Sequence, residues 1–234
     1  MNITNQIRQS AEDNKLLSML SGVDTAAVSD AMDKLGLHGQ IQGLNLLDNY
    51  PSDVYANVII GPAFTVKYVP VADPAGSVGD FIDSVAEGDI LVLDNDARID
   101  CTVWGDIMTQ YAVMRGIAGT VINGVCRDIH CALQSKYPVF SAGRFMRTGK
   151  DRVEVLAIND AISVGGVRIA SRDFIIADAN GVVAVPRHQV PRVAQLAHEI
   201  SDVEANIRAQ ISQGKSLAEA RRNTGYHSLQ SKAK

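Results

Sequence analysis

The sequence predicts an α/β fold in which a parallel βαβ core packs with a mainly antiparallel β layer and flanking helices. Three observations lead there. Between residues 90 and 141, apolar strand-like runs alternate with helical segments at the spacing of βαβ units. Past Gly143 the text changes to short strands broken by Asn, Gly and Asp, as an antiparallel layer requires. Hydrophobic residues make up 46% of the chain but aromatics only 5%, so the core must be built from Ala, Val, Ile and Leu, the residues of buried strands.

Each element has a local reason. Residues 5–20 read as a helix with Ile7, Leu16, Leu17 and Leu20 on one side, ended by Gly22. Asp24 is a candidate N-cap for TAAVSDAMDKLG, whose Ala27, Val28, Ala31, Met32 and Leu35 form an apolar stripe up to Gly36. A looser segment, HGQIQGLNLLDNYPSD, follows. VIIGPAFTVKYV then reads as a strand pair or a bent strand interrupted at Gly61-Pro62. PVADPAGSVGD is loop-like, and residues 78–86 suit a short helix. The core reads as strand Ile90–Asp94, helix Trp104–Arg115, strand Gly119–Asn123, helix Asp128–Lys136 and a third strand from Val139 to Ser141. That order implies parallel strands with right-handed crossovers. VEVLAI, ISVGGVRI, DFIIAD and VVAVP are the short strands of the second layer, with a hairpin signal at Ala179-Asn180-Gly181. His188–Ile211 is one long helix closed by Gly214. Ser216 and Glu219 make a capping box for a last helix to Arg222, and residues 225–234 read as a frayed tail. The whole of 1–234 is expected to be one domain, with an N-terminal helical segment (1–22) and C-terminal helices (188–222).

Composition narrows the function. A net charge of -4 gives no general basic footprint, so nucleic acid is not an expected partner. No run approaches the roughly 18 apolar residues of a membrane helix, so no membrane partner is expected either. The polar start MNITNQIRQSAEDNK lacks the apolar stretch of a signal peptide, and a cytoplasmic location is the default expectation. Three cysteines, Cys101, Cys126 and Cys131, form no disulfide framework. With no second pair of ligands they read as structural thiols rather than a zinc site.

In open α/β sheets, ligands bind beyond the carboxyl ends of the parallel strands. Two such ends should share one crevice: Asp94-Asn95-Asp96-Ala97-Arg98 and Asn123-Gly124-Val125-Cys126-Arg127-Asp128. Asp128 at a helix start can be a plain N-cap. Arg127 is harder to explain, because a cation is disfavoured at that end of the helix dipole. A bound anion explains it, since a guanidinium grips a carboxylate with two parallel hydrogen bonds. The adjacent aspartate offers a hard oxygen ligand suited to Mg²⁺ or Mn²⁺. Gly105-Asp106, at the start of WGDIMTQYAVM, adds the free amides of a helix N-terminus. Asp106 there is either a cap or the holder of a metal-bound water.

Gly105-Asp106, twenty residues, then Arg127-Asp128 preceded by GIAGTVINGVC, resembles the RraA-like superfamily. That group includes class II 4-hydroxy-4-methyl-2-oxoglutarate aldolases and the regulators of ribonuclease activity A. GPAFTV, GDILVLD, YPVFSAG, ADANGVVAVP and the closing helix carry the likeness over most of residues 24–222. The resemblance implies an α/β/β sandwich assembled as a homotrimer or a dimer of trimers. It implies a lyase that cleaves 4-hydroxy-2-oxo diacids to pyruvate and decarboxylates oxaloacetate. Arg127 would bind the carboxylate and stabilise the enolate, Asp128 would ligate Mg²⁺ or Mn²⁺, and Asp106 would orient a metal-bound water. The backbone near Gly105, Ile107 and Met108 would hold the pyruvyl group. Glu204 of a neighbouring subunit would complete the metal's outer shell, with Glu199 as the runner-up. The alternative is a non-catalytic trimer that regulates a ribonuclease or helicase. Ile129-His130-Cys131 and PVADPAGSVGD depart from the family's usual text.

The remaining candidates have ordinary explanations. Lys67 reads as an exposed strand lysine rather than a Schiff-base nucleophile. Asp94, Asp96 and Asp100 read as a solvated acidic loop, with Asp96-Ala97-Arg98 as a candidate rim of the site. Arg144 and Arg147 are surface residues or receivers of a second carboxylate. His130 reads as a helix-surface histidine, His188 and His198 have no partner pattern, and Trp104 packs at a helix start.

Overall fold

The computed structural model describes residues 9–225. The first helix, α1 (Ala11–Leu20), starts later than its apolar pattern suggests. Ser10 caps it in a reciprocal box with Asp13, which fixes the start; residues 5–8 lie outside the described residues. Helix α2 (Thr25–Leu35) runs as expected from the Asp24 cap, whose carboxylate accepts from the Ala27 amide, to a left-handed Gly36. The looser segment holds two short strands, β1 (Gln40–Ile41) and β2 (Asn45–Leu46), and a single turn, α3 (Ser52–Tyr55).

The GPAF segment is a bent strand, not a hairpin. β3 (Ile59–Pro70) is continuous through Gly61-Pro62. The expected short helix is a 3₁₀ turn at Asp80–Ser84. The core follows as β4 (Ile90–Thr102), α4 (Asp106–Arg115), β5 (Gly119–Cys126), α5 (Ile129–Ser135) and β6 (Val139–Arg144). β3, β4, β5 and β6 are parallel neighbours in that order. The antiparallel part comprises β7 (Val153–Ile158), the hairpin β8 (Ile162–Val164) with β9 (Val167–Ile169), and β10 (Phe174–Asp178) with β11 (Gly181–Val185). A 3₁₀ turn at Arg187–Gln189 leads into α6 (Val190–Ser212), and α7 (Leu217–Thr224) follows on its Ser216 cap. His188 therefore lies before the long helix, not on it.

β3 joins the layers. Its first residues pair antiparallel with β10, and Ala63–Lys67 then pair parallel with β4. Period-2 alternation lets the β10–β11 hairpin serve two interiors at once. Ile175, Ala177, Val182 and Ala184 face the core shared with the parallel strands. Phe174, Ile176, Val183 and Val185 face Leu20, Val28, Met32 and the buried stripe of α6. The result is the expected mixed α/β architecture: helices α1, α2 and α6, then the hairpin, then the parallel strands.

One departure from the sequence reading shapes the site. β4 does not stop at Asp94. It keeps strand geometry to Thr102 while its register on β5 jumps from Asp94↔Asn123 to Arg98↔Gly124 and then to Thr102↔Val125. Asp96 and Ala97 take left-handed φ values of 55° and 53° to make the first jump. Gly124, at φ 150°, accepts the bulge because a Cβ there would lie 3.0 Å from the Arg98 carbonyl oxygen. The extra strand length carries Thr102, Val103 and Trp104 into the lining of the crevice.

Buried charge ties α1 to the β layers. Asp13 receives hydrogen bonds from Ser10, Arg172 and Arg187, and Arg172 also reaches the buried Asp89 at 2.7 Å. Burial alone would raise the Asp13 pKa, but these three donors outweigh it and hold it at about 2. At Asp89 burial wins over Arg172, and its pKa is raised.

Candidate active site

Of the two loops expected to share one crevice, the second reaches it through Arg127, while Asp94–Arg98 do not line it and Thr102–Met108 take their place. The Arg127 amide donates to the Trp104 carbonyl (3.1 Å), and the Phe145 amide donates to the Cys126 carbonyl (2.9 Å). These bonds pin the end of β5 between β4 and β6. Trp104 is buried; its indole N–H donates to Thr109 Oγ1 at 3.0 Å and its ring stacks on Tyr137. The packing role expected for it holds, and it sets the depth of the crevice floor.

Arg127 and Asp128 point into the same space, with Nε 3.2 Å from Oδ2. Both are partly buried. Asp128 stands at the N-cap position of α5 but does not cap it: its φ is 54° and no side-chain hydrogen bond reaches that helix. Its carboxylate turns instead to the N-terminus of α4, where Oδ2 accepts from the Asp106 amide at 3.4 Å. The plain N-cap reading fails for this reason. Asp is one of the few residues that tolerates the left-handed conformation this requires. A carboxylate that reaches across to another helix's positive end is an internal stand-in for an anion.

Gly105 makes that approach possible. It occupies the N-cap position of α4 without a capping side chain. A Cβ on it would lie 2.8 Å from Asp128 Oδ2 and 3.2 Å from Arg127 Nε. Asp106 is exposed, and its Oδ1 accepts from the Ile107 amide at 2.8 Å, so it behaves as a local cap. The amides of Asp106 and Ile107 are thus already engaged, and an incoming anion must exchange with a carboxylate to reach them. A cavity of about 250 Å³ opens here, lined by Val78, Gly79, Thr102, Val103, Trp104, Gly105, Asp106, Ile107, Met108, Arg127 and Thr148. Gly105, Asp106, Ile107, Met108 and Arg127 therefore all line it. Val78, Gly79, Thr102 and Thr148 escaped the sequence reading. Thr102 lies beyond the point where β4 was expected to end. Val78 and Gly79 belong to a loop held by Glu154, whose Oε2 accepts from Gly76 (2.7 Å) and Ala72 (3.2 Å). The one sequence signal for that loop was its departure from familiar text.

Other candidates fall elsewhere. Glu204 pairs with Arg208 at 3.2 Å and Glu199 accepts from Gln195 at 3.1 Å; both lie on α6, which contributes nothing to this cavity's lining. Asp94 is not in a solvated loop. It is buried and receives Lys67 Nζ at 2.7 Å and Asn123 Nδ2 at 2.9 Å. Lys67 is accordingly a half-buried ion-pair partner rather than a free surface lysine. Asp100 forms a two-point pair with Arg98. Asp96 is exposed, and its amide donates to Asp94 Oδ1. Arg144 pairs with Asp48 at 3.0 Å, and Arg147 lies over the Phe145 ring. His130 is exposed, as expected. His198, expected to lack a partner, has a ring nitrogen 3.0 Å from the Met19 carbonyl. The three cysteines are free; Cys131 lies 3.8 Å from the Asp106 carbonyl oxygen, and burial raises the Cys126 pKa.

A paired guanidinium and carboxylate stand at a helix N-terminus, beside a cavity on an α/β/β frame at the carboxyl ends of parallel strands. The chain belongs to the RraA-like family: the family's model, described as Aldolase/RraA, matches residues 25–184. It is 35% identical over 215 residues to Protein DlpA of Legionella pneumophila, a match that takes in 90% of this chain but only 34% of that protein. The chain thus spans about a third of that relative's length. It is 35% identical over 191 residues to a Halalkalibacterium halodurans protein named "Putative 4-hydroxy-4-methyl-2-oxoglutarate aldolase", covering 80% of this chain and 84% of that one. A crystal structure of an uncharacterized protein from Pseudomonas syringae superposes with a TM-score of 0.80 at 37% identity, covering 93% and 99% of the two chains.

Proposed function

We propose that the chain is a divalent-metal-dependent carbon–carbon lyase. It cleaves 4-hydroxy-2-oxo diacids such as 4-hydroxy-4-methyl-2-oxoglutarate to pyruvate, and it decarboxylates oxaloacetate. One observation carries the reading: Arg127 and Asp128 converge on the N-terminus of α4 beside a cavity of small-molecule size. The aldolase name of the Halalkalibacterium relative supports the reaction class.

Both reactions break the bond between C3 and C4 of a 2-oxo acid and leave negative charge on the oxo oxygen. Arg127 binds the substrate carboxylate with two parallel hydrogen bonds and shares the developing charge. The backbone at Gly105, Ile107 and Met108 seats the pyruvyl group, and Asp106, exposed at the rim, orients the water that carries the proton. Asp128 is the metal ligand. Among the described residues no three His, Cys, Asp or Glu side chains cluster, which fits a hydrated Mg²⁺ or Mn²⁺ held by one carboxylate better than a caged ion. Such an ion supplies Lewis-acid stabilisation of about several kcal/mol. In a homotrimer or a dimer of trimers, Glu204 of a neighbouring copy completes the outer shell.

The test is pyruvate release from oxaloacetate and from 4-hydroxy-4-methyl-2-oxoglutarate, with Mg²⁺ or Mn²⁺ and then with chelator. Turnover should need the ion. Arg127→Ala and Asp128→Ala should each lower kcat by about 10²–10³ while light scattering shows the wild-type assembly. Metal-independent turnover, or full activity in either variant, removes the proposal.

A further inference from the structure

Asp128 stands where a bound anion would stand. Both of its contacts fall on one oxygen, Oδ2: Arg127 Nε lies 3.2 Å from it, and the Asp106 amide donates to it at 3.4 Å. Arg127 is the donor that the lyase reading gives to the substrate carboxylate. The Asp106 amide belongs to the helix start that seats the pyruvyl group. The fit is close, because a Cβ on Gly105 would come within 2.8 Å of this same oxygen. The Asp128 backbone is left-handed, at φ 54°, and its side chain makes no hydrogen bond to its own helix. Its nearest acidic neighbour, Asp106, takes the Ile107 amide through Oδ1. Two carboxylates of the chain thus hold the donors that an incoming carboxylate needs.

We propose that the Asp128 carboxylate is an internal competitor for the substrate's anion, and that it gives up Arg127 and the Asp106 amide when it turns to a divalent cation. This rests on the lyase reading of Arg127 and Asp128 and adds an order of binding: the cation first, the 2-oxo acid second. An anion that arrives while Asp128 is in place must break both contacts. It also leaves a partly buried carboxylate without its donors and beside a second negative charge. Once Asp128 faces a cation, its charge is neutralised and both donors are free. The positive charge then favours the anion as well. Arg127 and Asp128 are both partly exposed, so their pair is weak enough to exchange. Cation and anion affinities are linked reciprocally. A 2-oxo acid that comes without a cation, and so could not be cleaved, is kept out of the crevice.

The experiment titrates oxalate, a planar stand-in for the pyruvate enolate, into the full chain by calorimetry. The wild type is measured in chelator and with excess Mg²⁺; Asp128→Asn and Asp128→Ala are measured in chelator. The wild type should bind oxalate weakly in chelator and more tightly with Mg²⁺. Either variant should bind it about 5–20-fold more tightly than the wild type with no cation present, the size expected when one ion pair and one charge-assisted hydrogen bond stop competing. Adding Arg127→Met to Asp128→Asn should abolish that gain. The ratio of variant to wild type should persist in about 0.5 M KCl, where charges more than about 4 Å apart are screened but a direct contact is not. Unchanged or weaker binding in both variants, or a gain that vanishes in high salt, overturns the inference while the lyase reading stands. So does a wild type that binds oxalate equally well in chelator and with Mg²⁺, a result that needs no variant to fold. A wild type that releases no pyruvate from oxaloacetate removes the lyase reading and, with it, the order of binding.

Discussion

Gly105→Ala should uncouple activity from stability. The backbone at Gly105, with φ −151° and ψ −162°, is extended and open to any residue. The methyl group would nevertheless arrive 2.8 Å from Asp128 Oδ2, where ordinary contact begins at 3.4 Å. The difference, about 0.6 Å, must come from Asp128, because Arg127 Nε at 3.2 Å closes the other side. Asp128 is a short side chain on a left-handed backbone and has little room to yield. Displacement of a reacting or liganding group by about 1 Å costs on the order of 10² in rate, so kcat for oxaloacetate should fall about 10–100-fold. Stability should change little. Alanine caps a helix less well than glycine by a few tenths of a kcal/mol or more, while it restricts the unfolded chain by about 0.4–1 kcal/mol in the other direction. The assay pairs Mg²⁺-dependent pyruvate release with a melting curve. A folded variant within twofold of the wild-type kcat refutes the reasoning.

Three further outcomes are expected. Glu154→Ala removes the acceptor of the Gly76 and Ala72 amides; KM should rise several-fold and the 71–79 loop should become sensitive to protease, and an unchanged KM counts against its role in shaping the cavity. Asp13 has a folded pKa of about 2 against an ordinary 3.8, so its contribution, about 2 kcal/mol, is fully present above about pH 4 and fades as pH falls through 2. The raised Asp89 opposes it. Urea titrations should therefore find an Asp13→Asn deficit that narrows from pH 5 towards pH 2, and a pH-independent deficit contradicts the network. Lys67→Met leaves buried Asp94 with one fewer donor and should cost about 1–3 kcal/mol. Borohydride with pyruvate should leave Lys67 unmodified, and a trapped adduct there would replace the metal mechanism with an imine one.

Local sequence signals fixed the helices whose caps are short-range. Asp24 and Gly36 bracket α2, and Ser216 opens α7, because each cap bonds within one turn. The buried strands from Ile90, Gly119 and Val139 were legible as apolar runs, and so was the Arg127–Asp128 pair. What was not legible depended on partners distant in the chain. The start of α1 is set by a capping box, but Asp13 is also held by Arg172 and Arg187, which lie 159 and 174 residues away. Asp94 looked like a loop acid because its partners Lys67 and Asn123 lie on neighbouring strands rather than beside it.

The sequence by itself determined that an arginine and an aspartate would stand together after a buried parallel strand, since they directly follow a run of apolar β-branched residues. Only the tertiary structure decided what that aspartate does. Its carboxylate serves the N-terminus of α4 rather than its own helix, because the side chain of Gly105 is missing where the two helices meet. The same is true of the cavity walls: Thr102, Val78 and Thr148 reach it from three separate segments. Such convergence is a property of register and packing, which no local pattern records.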